Sequence, residues 1–400
     1  MTTPKTICML PWISMEVTPM GTYRPCCLYG ESIPGYSVRN NHSIADAQNS
    51  DYMKDLRQQF LDGKKPAGCN MCWQEESVPG RMSKRRATFI KVKQQLDYTE
   101  DSVAPIFLDL KLGNICNLKC RICGSWSSSK WAQEEIDIAN GDNDLARQQL
   151  QHGQWPRKIP SWWEALEDAL PHIEYLEFTG GEPFLILEHF ALLEKLVERG
   201  YSKKIDIHYN TNGTVWPAQN ELWKHFKRVE IAFSIDDIGR RFEYQRTGAK
   251  WHEVMSNLEK FRELRQTSTN IQLQLCCTIS IWNVLYFNTI AHWAASFPWD
   301  FVYWNYLHDS PVWCVQNVVE HIKERIIGWL LRESIDHPYG EDRKHLIDFM
   351  LAEEGWIGVG GGGTLTYEIS RLDTVRGQNL ADYMPELARI LDYKGPIDYR

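Results

Sequence analysis

The chain has 400 residues, 43% hydrophobic and 24% charged, with a net charge of -8. That is the composition of a globular protein, long enough for two domains or for one large one with an appendage, and it excludes disorder as the main state. The acidity argues against a nucleic-acid protein that binds through overall basicity, and no apolar run approaches the roughly 18–20 residues of a membrane span.

Residues 1–100 read as irregular, rich in turn residues, with five cysteines and a basic stretch at Arg81–Arg86. A solvated connector is the plain account of that stretch, and a docking patch for an acidic partner the other. From about residue 105 strand-like runs alternate with helical patterns. The strands predicted are Ile106–Gly113, Ile173–Gly180, Lys204–Thr211, Arg228–Asp236, Ile271–Ser280 and Phe301–His308. Helices are predicted over Leu187–Arg199, Trp251–Arg265 and Val284–Ala295, and a helix with an insertion between Trp126 and Trp163. Six strand–helix repeats argue for an α/β fold of parallel units, an open or partial barrel with function at the C-terminal strand ends. After residue 312 the pattern is helical, over Val315–Glu333, Glu341–Ala352 and Ala381–Leu391. The glycine-rich run Gly355–Gly363 reads as a flexible loop, because no Gly-Lys-Ser/Thr follows it. The expected division is 1–100, 101–312 and 313–400.

Cysteine usage carries the chemistry. The count of eleven is odd, the cysteines cluster, and no export signal is visible at Met1–Lys5. This favours metal or cluster ligation in a reducing cytoplasm over disulfides. Cys116, Cys120 and Cys123 stand at Cys-x3-Cys-x2-Cys just past the first core strand. Three thiolates suit a cubane iron–sulfur cluster with one iron left open to a chelating small molecule. At the N-terminus Cys8, Cys26, Cys69 and Cys72 supply four thiolates for a second cluster or a zinc ion, residue type alone favouring neither. Cys27 adjoins Cys26, and neighbours rarely both point at one cluster.

The central motif resembles that of the radical SAM superfamily, and four further motifs follow in order. Gly180-Gly181-Glu182-Pro183 ends the second strand, Asn210-Thr211-Asn212-Gly213 the third, and Ser234-Ile235-Asp236 the fourth, with Arg246 downstream. Thr278-Ile279-Ser280 with Asn283 resembles the fifth-strand region. The resemblance implies a partial (β/α)6 barrel holding a [4Fe-4S] cluster and S-adenosylmethionine. Gly180, Gly181 and Glu182 would meet the methionine ammonium, and Ser234 and Arg246 the carboxylate and ribose. Ile122 and Ile279 would pack on adenine, and Asn212 and Asn283 belong to the same set. Ile122 stands where the family commonly has an aromatic residue. The implied chemistry is reductive cleavage of S-adenosylmethionine to a 5′-deoxyadenosyl radical that takes a hydrogen atom from substrate. An external donor such as flavodoxin or ferredoxin would supply the electron.

The N-terminal cysteines, with Pro11-Trp12 after Cys8 and Pro25 before Cys26, resemble the auxiliary-cluster segment of SPASM and twitch domains. The resemblance implies an auxiliary [4Fe-4S] cluster and selects Cys26 over Cys27. Such segments usually follow the radical SAM core; here it comes first. The cysteine count suits the shorter twitch form. Relatives with auxiliary clusters often modify peptides or proteins, and a peptide substrate is the expectation, with a small-molecule metabolite the alternative. A non-catalytic metal-binding module is the rival from another class.

Strand alternation places Gln272, Gln274, Cys276, Thr278 and Ser280 on one polar face, and similarly Asp109, Lys111, Glu177, Thr179, His208 and Asn210. A barrel with such an interior suits a polar substrate. Cys276, and Cys314 expected near the mouth, are candidate hydrogen-atom donors because thiol S–H bonds are weak.

Overall fold

The structure is a computed structural model and describes residues 4–77, 83–91, 98, 104–159, 161–307, 310–332, 339–352 and 362–397. The strands are β1 (Ser14–Val17), β2 (Tyr23–Arg24), β3 (Phe107–Lys111), β4 (Lys119–Cys120), β5 (Tyr175–Thr179), β6 (Asp206–Thr211), β7 (Arg228–Ser234), β8 (Arg246–Thr247), β9 (Ile271–Ile279) and β10 (Phe301–Tyr306). The chain forms two compact units. One gathers Met1–Asn117, Ser125–Asn210 and Pro217–Glu230; the other gathers Leu118–Gly124, Thr211–Trp216 and Ile231–Arg400.

In the first unit the strand order is β6-β5-β3-β1-β2. β6, β5, β3 and β1 run parallel, and β2 closes the edge antiparallel to β1. Strands buried on both faces read as continuous apolar runs. Here β5 instead alternates between half-buried Tyr175, Glu177 and Thr179 and fully buried Leu176 and Phe178. One face is core and the other carries polar groups. The register lines those groups into a row, Arg24, Glu16, Asp109, Glu177 and His208, paired rung by rung across five strands. Between β3 and β5 the expected interrupted helix is two helices, Ser129–Ile138 and Asp144–His152. Asn140 and Gly141 turn the chain between them with positive φ.

β1 was not foreseen. It is four residues long, fully buried, and follows a one-turn helix, Leu10–Ile13, with no turn signal between them. Its place is set by a buried arginine on helix Asp51–Leu61. Arg57 donates from Nε to Pro11 O (3.1 Å) and from Nη2 to Gln48 O (2.5 Å), and Gln48 Nε2 donates to Pro11 O and Trp12 O. These bonds satisfy carbonyls that the short helix leaves over.

In the second unit the strand order is β10-β9-β7, with β9 and β10 parallel. β4 and β8 form a separate antiparallel ribbon. β9 alternates strictly: Ile271, Leu273, Leu275, Cys277 and Ile279 are buried, and Gln272, Gln274, Cys276 and Thr278 half-buried, as the sequence predicts. Ser280 departs from that set. Lying past the strand end, it is buried and bonded to Asn283. The helices follow the predicted positions with local breaks. Val284–Ala295 opens with a 3-10 turn, and Ala381–Leu391 divides into Leu380–Tyr383 and Pro385–Ile390, because proline disfavours helical backbone at the residue before it. Helix Gly362–Arg376 was not foreseen; the residues before it in the glycine-rich run lie outside the described set. Among the described residues no helix is long and apolar enough to cross a membrane.

Arg57→Leu should lower stability by about 1–3 kcal/mol in anaerobic chemical denaturation, because Gln48 O loses its donor and Pro11 O one of its two. A loss under about 0.5 kcal/mol, the size of an ordinary surface substitution, would show that Arg57 does not hold this segment.

Candidate functional site

In the first unit, β3 leads through Gly113 to Cys116, whose amide donates to Ser129 Oγ (3.2 Å). Gly113 has φ +87 and Gly180 φ +105, and both need glycine. The Gly180-Gly181-Glu182 backbone lies directly on this approach. Gly181 N donates to Gly113 O (3.1 Å) and Glu182 N to Ile115 O (2.8 Å). A Cβ on Gly181 would collide with Ile115 O, and one on Gly180 would stand 2.7 Å from Gly113 O. The glycines thus allow two backbones to pack together here. The Glu182 side chain is fully buried, and its Oε1 accepts from Phe184 N (3.2 Å).

In the second unit Cys120 lies on β4, paired with Arg246 on β8. Arg246 donates from Nε to Asp236 Oδ2 (3.0 Å), and its Nη1 lies 3.7 Å from Cys120 Sγ. Burial raises the Cys120 thiol's pKa and the nearby guanidinium opposes the rise. Asp236 also accepts Thr278 N through Oδ1 (2.9 Å), and its carbonyl accepts Asn283 Nδ2 (2.7 Å). Asp236, quoted in the sequence motif without a role, is the hub of this half. Asn283 is fully buried and braces the end of β9, since Nδ2 also donates to Thr278 O. Ile122, Cys123 and Ser234 are half-buried. Asn212 is buried, and its Oδ1 accepts from Thr214 N and Oγ1. Ile279 is fully buried, on the face of β9 opposite Cys276 and Thr278.

Cys276 is half-buried on the polar face of β9, beside Tyr303 in register. Burial first, then Asp236, pushes its thiol up to about 12, and Arg246 opposes them. Cys314, expected near a mouth, is completely buried. It precedes the 3-10 turn Val315–Asn317.

The N-terminal cysteines all lie in the first unit. Cys8 precedes the helix Leu10–Ile13, Cys26 and Cys27 follow β2, Cys69 ends a 3-10 turn, and Cys72 sits on helix Asn70–Ser77. Gly30 N donates to Gly68 O (2.9 Å), joining the two cysteine-bearing turns. Burial raises the Cys8 thiol well above its usual range, and Cys26, Cys69 and Cys72 each add to the rise. Cys69 is raised by burial and then by Cys26 and Cys72. These four thiols therefore lie within electrostatic reach of one another. Cys27 faces elsewhere: Lys84 Nζ donates to its Sγ (2.8 Å) and also pairs with Glu177 (3.7 Å).

Where it is described, the basic stretch is partly internal, with Arg86 exposed. Lys84 serves Cys27, and Arg85 is buried. Arg85 bonds Ile7 O beside Cys8 (2.6 Å) and Glu76 on the helix of Cys72 (2.8 Å). Arg81 and Met82 lie outside the described residues. Nothing in the local sequence pattern separated these internal staples from a solvated charge run.

Among the described residues no three His, Cys, Asp or Glu side chains are gathered closely enough to hold a single metal ion. A cubane takes each thiolate on a different iron, so its ligands do not converge on one point. The donor set fits such a group: Cys8, Cys26, Cys69 and Cys72 are buried or half-buried thiols whose pKa burial raises, and bound iron would hold them as thiolates.

Residues 110–274 match the family model of the radical SAM superfamily, and residues 8–73 match that of SPASM, an iron–sulfur cluster-binding domain. The chain thus carries a radical SAM domain, which implies a [4Fe-4S] cluster and S-adenosylmethionine, and ahead of it a SPASM iron–sulfur cluster-binding domain. No curated protein matches the chain. Among solved structures it is similar to native anSMEcpe with bound AdoMet, at 18% identity and TM-score 0.34 over 50% of each chain. It is also similar to native anSMEcpe with bound AdoMet and Cp18Cys peptide, at 17% identity and TM-score 0.34 over 50% of each. The chain thus spans about half the length of the solved proteins it matches.

Gly181→Ala should prevent the strand approach to Cys116 from closing. The variant is expected to retain less iron after anaerobic reconstitution than wild type. Wild-type iron content in Gly181→Ala would show that the two backbones can separate without cost to the site.

Proposed function

We propose that this chain is a radical SAM enzyme whose catalytic cluster is held by Cys116, Cys120 and Cys123. Cys8, Cys26, Cys69 and Cys72 hold an auxiliary [4Fe-4S] cluster. The boundaries are an auxiliary segment over 1–100, a core over 101–312 and a helical extension over 313–400. The observation that carries the reading is the three-thiol motif inside the matched core, entered by a backbone that Gly180 and Gly181 pack against. When bound, the cluster and S-adenosylmethionine supply a 5′-deoxyadenosyl radical that abstracts hydrogen from substrate.

The chain's own residues hold and shield that chemistry. The resemblance assigns Gly180, Gly181 and Glu182 to the methionine ammonium, Ser234 and Arg246 to the carboxylate and ribose, Asn212 and Asn283 to the same set, and Ile122 to adenine; Ile279, buried on the face of β9 opposite Cys276, does not suit the adenine role. Asp236 orients Arg246, which in turn faces Cys120 as well as any bound carboxylate. The choice of Cys26 over Cys27 is supported by the influence of Cys26 on both Cys8 and Cys69, and by the bond of Cys27 to Lys84. Of the two thiols offered as hydrogen-atom donors, Cys276 is favoured over Cys314. It is half-buried and stays protonated at neutral pH, so its S–H bond is available. The substrate is a peptide or protein segment, in keeping with the SPASM segment, and a flavodoxin- or ferredoxin-type protein supplies electrons.

The test is anaerobic reconstitution with iron and sulfide quantified per chain. About eight irons are expected in wild type and about four in Cys116/Cys120/Cys123→Ala, on the ligation logic of cubanes. Cys26→Ser should also fall to about four, and Cys27→Ser should keep about eight. Iron binding unaffected by the triple substitution would contradict the catalytic assignment. Release of 5′-deoxyadenosine only with a small metabolite, and never with peptides, would overturn the substrate class.

A further inference from the structure

Arg121 stands between Cys120 and Cys123, and its side chain is completely buried. Nη2 donates to Asp373 Oδ1 (2.6 Å) and to Gln378 Oε1 (2.8 Å), and Nε donates to Tyr244 O (3.0 Å). The guanidinium lies 3.7 Å from the centre of the Tyr244 ring and 5.0 Å from that of Trp282. Asp373, also completely buried, lies on helix Gly362–Arg376 beside the apolar stripe Leu365, Ile369 and Leu372. Its two oxygens further accept from Tyr244 Oη (2.8 Å), Leu380 N (2.7 Å) and Tyr393 Oη (2.6 Å). One turn on, Arg376 Nη1 donates to Lys119 O (3.0 Å) and to Thr247 Oγ1 (3.2 Å). Lys119 and Thr247 are themselves partners in the β4–β8 ribbon.

We infer that Asp373 and Arg376 are positioning residues that clamp the cysteine loop from the helical extension; this rests on the assignment of Cys120 and Cys123 as cluster ligands. The residue before Cys120 is held by Arg376 and the residue after it by Asp373. Both grips come from one helical turn, more than 250 residues away in sequence, as the separations of 252 and 257 show. A buried ion pair is a poor device for stability alone, since an apolar pair of the same volume often serves as well. Its use is geometric. The carboxylate and the two aromatic rings leave Arg121 one orientation, and that orientation fixes the backbone on which both thiolates stand. Partners of this kind behind metal ligands hold the ligands in register.

The test uses full-length protein reconstituted with iron and sulfide. Arg376→Gln is the leading variant, because Arg376 is only half-buried and its loss leaves no buried charge. Iron should leave the core cluster to a chelator roughly tenfold or more faster than in wild type, the scale on which such partners act. Auxiliary iron, measured alone in the Cys116/Cys120/Cys123→Ala background, should leave at the wild-type rate. The thermal midpoint of Arg376→Gln should match wild type, and Arg376→Lys, which can still donate to Lys119 O, should recover most of the retention. Asp373→Asn should show the same selective loss. Wild-type extraction rates in both Arg376→Gln and Asp373→Asn would overturn the clamp, as would equal loss of both iron pools. If the triple cysteine variant instead binds as much iron as wild type, the ligand assignment fails, which is a different result.

Discussion

A buried thiolate needs positive charge beside it, and much of this chain is arranged around that constraint. Cys8 and Cys72 are buried, and Cys26 and Cys69 partly so; burial raises all four thiols, and Cys26, Cys69 and Cys72 add to the rise at Cys8. Without a counter-charge they would stay protonated and weakly ligating. In the proposed assignment irons supply most of that charge when a cluster binds, with Lys84 contributing at Cys26 and Arg85 at Cys69. Cys27 shows the contrast. Its neighbour is the ammonium of Lys84, and it is tied to the charged row of the sheet instead.

The same economy governs the central motif. Gly180 and Gly181 give up their side chains so that the strand end can lie against the backbone that enters at Cys116. Asp236 gathers Arg246, Thr278 and Asn283, so the ends of β7 and β9 and the ribbon strand β8 share one carboxylate. Arg246 then stands beside Cys120, where its fixed charge opposes the effect of burial. Preorganised charges of this kind do not need to move when chemistry occurs.

The six core strands were legible because each rests on local pattern. β9 is the clearest case, since period-two alternation alone separates Cys276 from Cys277. β1 was not legible, because four buried residues that include a glutamate carry no alternation. Its identity as a strand comes from pairing with β3, about 90 residues on. The grips of Arg85 and Asp373 were hidden for the same reason: each looks like an ordinary charge until its distant partner is known. Cys314, placed near a rim by sequence order after β10, is completely buried. Position along a chain does not report depth.

The most direct measurement is the electron paramagnetic resonance spectrum of the dithionite-reduced, reconstituted protein, with and without S-adenosylmethionine. The account predicts two overlapping cubane signals. One should shift when S-adenosylmethionine is added and be absent from Cys116/Cys120/Cys123→Ala; the other should be unchanged in both. A spectrum that does not respond to S-adenosylmethionine, with the same signals in wild type and the triple variant, would contradict it.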